Sequence, residues 1–176
     1  MPRIPYLPAD LAEPREIVDA VRARRGGTLL NLDRMLLHSP ELAAGWNAYL
    51  GAVRTRLALS PKLRELAMCV VAVLNGAEYE FVHHAPVFLE AGGTQAQVDA
   101  LRDPERAASD TALFDDTERA ALAVAIAMTR TVAVDDTAFD ALRSRLPERE
   151  LGEFVATVAA YNMVSRFLVA FGVEPE

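Results

Sequence analysis

The segment that most constrains this chain is Leu66 to Leu74, L-A-M-C-V-V-A-V-L, a run without one polar side chain. Ser60-Pro61 precedes it, a helix-capping residue followed by a proline at the first helical position. Asn75-Gly76 follows it and is a helix stop. The run is therefore the body of a helix that is apolar around its whole circumference. Such a helix is stable only when other elements enclose it, so it must be central. A second helix begins near Glu78 and runs to Glu90. The short break at Asn75-Gly76 forces these two helices to lie side by side.

The remaining signals are also helical. Pro2, Pro5 and Pro8 make residues 1–9 an extended N-terminal arm. Asp10 is the expected cap of a helix that runs to Arg25 and stops at Gly26-Gly27. A short helix covers Leu29 to His38, and Ser39-Pro40 starts another whose apolar stripe is Leu42, Trp46, Tyr49, Leu50 and Val53. Ala91-Gly92-Gly93-Thr94 closes the Glu78 helix and caps a helix from Gln95 to Leu101, with Val98 and Leu101 facing inward. Residues 102–114 are a loop with a helical turn at 105–108. Asp116 or Thr117 caps a helix from Glu118 to Thr131, Asp135-Asp136 starts another, and Pro147 opens the last, Glu148 to Phe171. No segment alternates with period two, so no sheet is expected. The prediction is an all-α helical bundle of about eight helices, one domain over residues 1–176.

Composition narrows the function classes. Hydrophobic residues make up 52% of 176 residues, an excess that suits subunits hiding apolar surface from water. A net charge of −7 argues against a nucleic-acid partner. The basic trio Arg22, Arg24 and Arg25 reads as a solvated helix C-terminus. Cys69 is the only cysteine, which excludes an intrachain disulfide framework and a cysteine-based zinc cluster. The N-terminus lacks the pattern of a signal peptide, and no apolar run approaches the roughly 20 residues that span a bilayer. A cytoplasmic protein without a membrane partner is expected.

Ionisable groups concentrate where the apolar helices meet. Glu80, His83 and His84 share one side of the Glu78 helix, and Glu80 with His84 is an i,i+4 pair. Glu65 lies in the neighbouring helix and aims at the same region. Two carboxylates and an imidazole among apolar side chains form a general acid/base set whose pKa values burial drives apart. The bland alternative is a solvated surface pair worth about a few tenths of a kcal/mol. Metal binding is a further alternative. Glu80-x-x-His83 has the spacing of di-iron bundles, but His38, the only other histidine, has Arg34 and Met35 at the upstream offsets and no carboxylate. That leaves at most a one-metal site from Glu65, Glu80, His83 and His84. Nucleophile elbows, phosphate loops and H-E-x-x-H are absent. Tyr161, Asn162 and Arg166 are polar groups in the apolar last helix. They either join helices or line a pocket, and Arg166 is the candidate anion partner.

The motifs L-S-x-x-x-R-E-L-A, V-A-x-L-N-G-A-E-Y-E, H-H-A-P and A-G-G-T over residues 40–100 resemble the alkylhydroperoxidase D / carboxymuconolactone decarboxylase superfamily. In its redox members a glutamate precedes C-x-x-C by twelve residues, and a histidine follows the second cysteine by four. On this chain those positions are Glu65, Ala77, Glu80 and His84. Both redox thiols are missing, and disulfide exchange needs two. The resemblance thus implies a cysteine-less member without dithiol peroxidase activity, working without a cofactor by acid–base chemistry on a small organic acid, lactone or carbonyl compound. It implies His84, Glu80 and Glu65 as catalytic groups. Beside them Tyr79 and His83, and Arg166 of the last helix, are the substrate-binding candidates. It also implies a homo-oligomer, a trimer or hexamer or a dimer. A non-catalytic helical module and a metal-dependent enzyme are the alternatives.

Overall fold

The computed structural model describes residues 1–176 as ten helices and no strand. They are α1 (Arg15–Arg25), α2 (Asn31–Leu36), α3 (Pro40–Thr55), α4 (Pro61–Leu74), α5 (Glu78–Glu90), α6 (Gln95–Ala100), α7 (Pro104–Ala107), α8 (Asp116–Arg130), α9 (Asp136–Arg143) and α10 (Glu148–Phe171). The chain forms two compact units, Met1–Leu57 with Ala170–Glu176, and Ala58–Val169.

In the first unit α3 packs against α1 and α2. Its buried stripe is Ala43, Trp46, Leu50 and Val53, whereas Leu42 and Tyr49 are 46% and 45% exposed. The expected stripe was therefore too broad, extending past one side of the face that the neighbouring helices cover. α1 begins at Arg15, not after Asp10, because Pro14 takes the cap position with extended backbone. A proline lacks the N–H and disfavours helical geometry in the residue before it. The basic trio is also less solvated than expected. Arg25 forks onto buried Asp33 at 2.9–3.0 Å, and Arg24 lies 3.6 Å from the same carboxylate. Asp33 in turn accepts from the Leu30 N–H and caps α2. The N-terminal arm is pinned, with Arg3 N–H donating to the Phe171 carbonyl at 2.8 Å and Arg34 donating to the Leu7 carbonyl.

The second unit is built on α4. Ser60 caps it by accepting from Leu63 N–H, and every residue from Leu66 to Ala72 is fully buried. α5 and α8 are its main neighbours. Gly76 takes a left-handed φ of +66° and lets α5 turn back along α4. Thr94, Asp115 and Asp135 cap α6, α8 and α9. The cap of α8 thus lies one residue before the expected pair Asp116 and Thr117. Buried Glu118 ties three helices together, accepting from Lys62 at 2.6 Å and Gln97 at 3.3 Å. The 102–114 loop holds the expected helical turn as α7, and α10 spans the expected residues. Contrary to the expectation that no apolar run approaches a membrane span, α10 is long and apolar enough to cross a bilayer by length and composition. Half of its most apolar window is buried, and Thr157, Asn162 and Ser165 lie buried along it, as in a core helix.

Gly93 sits where a side chain cannot fit. A Cβ there would lie 2.3 Å from the ring of fully buried Phe88. Gly93→Ala is expected to destabilise the protein by about 1–3 kcal/mol through this overpacking, read as a lower urea midpoint at unchanged slope.

Candidate active site

The antiparallel return at Gly76 sets the height of each polar group. At about 1.5 Å per residue, Glu65 stands roughly 15 Å before Asn75 on α4, and His84 roughly 12 Å beyond Gly76 on α5. The two therefore meet. His84 Nδ1 lies 2.6 Å from Glu65 Oε2, with both side chains buried at 4% and 1% exposure. Arg64 donates from Nε to Glu65 Oε1 at 3.1 Å. The edge of the pair is closed by Tyr161 of α10, whose ring meets that of His84 at 4.9 Å and 86°.

Glu80 lies one turn nearer the Gly76 bend. Sequence spacing pairs it with His84, but the carboxylate that holds the imidazole is Glu65. Glu80 Oε2 instead accepts a hydrogen bond from the Ser165 hydroxyl, and Glu80 Oε1 has no partner. One turn of α10, Tyr161 to Ser165, thus faces one turn of α5, Glu80 to His84, in opposite chain order. Ser165 and Arg64 were missed as site residues. Ser165 did carry a signal, a hydroxyl four residues after Tyr161 in an otherwise apolar helix.

The two carboxyls have opposite electrostatics. Burial by itself raises Glu65, but the hydrogen bond and charge of His84, followed by Arg64, outweigh it and hold the carboxyl below its ordinary value. For Glu80 burial wins. Its carboxyl is pushed up to about 8, against the opposing bond from Ser165. This happens although Glu80 lies in the first turn of α5, where the helix dipole favours an anion. Cys69 of α4 is fully buried, and burial, then the charges of Glu65 and Glu80, raise its thiol far above the usual range. A thiol in that state is inert.

The other expected residues stand apart from this cluster. His83 donates from Nδ1 to the Tyr79 carbonyl at 2.7 Å and stacks on the Tyr79 ring at 4.3 Å. Arg166 donates to the carbonyl and the side-chain oxygen of Asn162, both at 2.9 Å. Asn162 also joins Asn75 and Thr129 at 3.1 and 3.0 Å, so this set links α4, α8 and α10. No three His, Cys, Asp or Glu side chains converge in a geometry that could hold a metal ion.

The Glu80 shift has a thermodynamic consequence. Between its ordinary value of 4.5 and its folded value of about 8, the unfolded chain ionises Glu80 while the folded chain keeps it protonated. Folding takes up a proton there, so the stability present below pH 4.5 is lost as pH rises toward about 8. Glu65 acts oppositely, its contribution being lost only as pH falls below the ordinary carboxylate value. Glu80→Gln removes the first effect. Its stability should rise relative to the natural protein across this window, by at most about 1.4 kcal/mol per pH unit, as read by urea unfolding at stepped pH.

Residues 40–125 match the model of the carboxymuconolactone decarboxylase family. No curated protein matches the sequence. Among solved structures, a peroxidase-related protein from Silicibacter sp. TM1040 is similar at TM-score 0.80 and 22% identity, covering 99% of this chain and 94% of that one. A peroxidase-related protein with an alkylhydroperoxidase AhpD core from Ralstonia eutropha JMP134 is similar at TM-score 0.79 and 21% identity, covering 99% and 92%. A cysteine-to-alanine variant of the debrominase Bmp8, in complex with 2,3,4-tribromopyrrole, gives TM-score 0.79 at 18% identity, covering 100% and 94%. Residues 40–125, the segment that carries Glu65, Glu80 and His84, thus match the carboxymuconolactone decarboxylase family, and nearly the whole chain has the all-helical fold of these AhpD-like structures.

Proposed function

We propose that the protein is a cofactor-independent, carboxymuconolactone decarboxylase-like lyase or isomerase that moves protons on a small organic acid, lactone or carbonyl compound. The observation that carries this reading is the buried His84–Glu65 pair at 2.6 Å, with the high-pKa carboxyl of Glu80 on the adjacent turn. Glu65 holds His84 by Nδ1, so proton exchange with substrate runs through Nε2. Glu65 also stabilises the imidazolium that forms when His84 takes a proton. Glu80 is the second acid. In a decarboxylation the C–C bond breaks, CO2 leaves, and the electron pair passes to the neighbouring carbonyl oxygen as an enolate. The carbon then takes its proton from His84. A dithiol peroxidase cycle is not part of this reading, because Ala77 and Glu80 occupy the thiol positions and Cys69 is inert. The tribromopyrrole bound by the debrominase, a small planar molecule, supports a small-molecule substrate here.

A second reading is a non-catalytic helical module in which the Arg64–Glu65–His84 and Ser165–Glu80 contacts are structural. Their pairing within one unit favours it. The partnerless Oε1 of Glu80 favours the enzyme, since a purely structural network gains nothing from a buried unsatisfied atom.

The test is solvent deuterium exchange and CO2 release over a panel of small lactones and keto acids. His84→Ala should lower turnover of any active compound by about 10²–10⁴-fold with unchanged circular dichroism. Full activity in His84→Ala overturns the assignment.

We further propose self-association. Val82 and Leu89 on α5, with Met163 and Val169 on α10, are large apolar side chains left exposed. Light scattering should give a multiple of the 19.2 kDa chain mass; a monomer at high concentration would count against it.

A further inference from the structure

Glu80 Oε1 is the one buried side-chain nitrogen or oxygen without a hydrogen-bond partner. Glu80 is only 2% exposed, so water does not satisfy that atom as it would at the surface. Native folds rarely keep such an atom, and those that persist call for an explanation. The other oxygen of the same carboxyl is engaged by Ser165. A helical serine often bonds back to the carbonyl four residues earlier. Ser165 spends its proton on a different helix, and in doing so settles which end of the Glu80 carboxyl is committed.

This arrangement has a chemical direction. With Ser165 donating to Oε2, Oε2 is the accepting oxygen of a neutral carboxyl and the proton resides on Oε1. Oε1 is then a donor, and what satisfies it is an acceptor.

We propose that Ser165 is a positioning residue that holds Glu80 with Oε1–H presented to the bound ligand, and that the ligand is recognised there through an oxygen acceptor, a carbonyl, lactone or carboxylate oxygen. The inference deepens the enzyme reading and rests on it for placing the ligand beside His84. The protonated state of Glu80 at neutral pH is consistent with its burial. The ionisable groups on the elements around it are Glu65 and Cys69 on α4, His84 on its own helix and Tyr161 on α10. Neither carboxyl is bonded to the other: Glu65 is bonded to His84 and Arg64. An ionised Glu80 would make the opposite choice and select an ammonium ligand.

The experiment is NMR-detected binding of γ-butyrolactone, a neutral acceptor whose affinity does not depend on the charge of His84, with benzylammonium as the opposite probe. γ-Butyrolactone should bind the full-length protein in weakly acidic solution and lose about tenfold in affinity per pH unit above the Glu80 titration. Glu80→Gln, whose amide still donates, should keep binding and lose that pH dependence. Ser165→Ala should weaken binding and move the pH limb upward, because the Ser165 bond lowers the Glu80 pKa; Ser165→Thr should restore both. A Ser165 that does not position Glu80 for the ligand would move the limb but leave the affinity on its acid side unchanged. The proposal is overturned if benzylammonium binds more tightly than the lactone, if Glu80→Gln keeps the natural pH dependence, or if the lactone does not bind. Failure of the enzyme reading looks different: the lactone would bind as described, yet no compound would turn over.

Discussion

The second unit depends on a helix that has no outward face. From Leu66 to Ala72 every side chain of α4 is removed from water. Burial of that surface is a large favourable term, at roughly 25 cal/mol per Å² of apolar area. It also imposes a rule on everything that touches α4, since a polar group brought against it leaves water and must find a partner within the protein. α5 does bring polar groups there, because the turn at Gly76 lays its first two turns along the centre of α4.

That rule sorts the two carboxyls. Glu65 is met by an imidazole and a guanidinium and stays ionised. Glu80, about one helical turn away, is met by a single hydroxyl and keeps its proton. Two chemically equivalent side chains are thereby given different protonation states at one pH, the usual way in which a pair of carboxyls divides acid and base work. The same depth silences Cys69, whose thiol shares the neighbourhood of both carboxyls. A reactive thiol needs an electropositive, partly open setting. The position that would offer a helix N-terminus, Ala77, holds no thiol.

Much of this was readable in advance. The starts at Ser39-Pro40 and Ser60-Pro61, the stops at Gly26 and Gly76 and the cap at Thr94 are local signals, and all stand where the spacing put them. Asp10 is a local cap signal that Pro14, four residues on, overrides by taking the cap position of α1. The spacing of Glu65, Ala77, Glu80 and His84 marked the site region because helical period and a short turn bring these positions together. Partner choice was less legible. An i,i+4 rule favours Glu80 for His84, but a cross-helix contact with Glu65 wins, as the distance between neighbouring helices is no greater than that between neighbouring turns.

The sequence by itself determined the helices, the central place of α4, the absence of the redox thiols and the segment in which ionisable groups gather. These follow from propensity, caps and periodicity, which act over a few residues. Only the tertiary structure decided that Glu65 rather than Glu80 holds His84, that Tyr161 and Ser165 of α10 complete the cluster, and that one oxygen of Glu80 is left without a partner. Those outcomes depend on how α10, about eighty residues further along the chain, comes to face α5. Hydrogen bonds are directional and short, so a shift of one helical turn reassigns every partner.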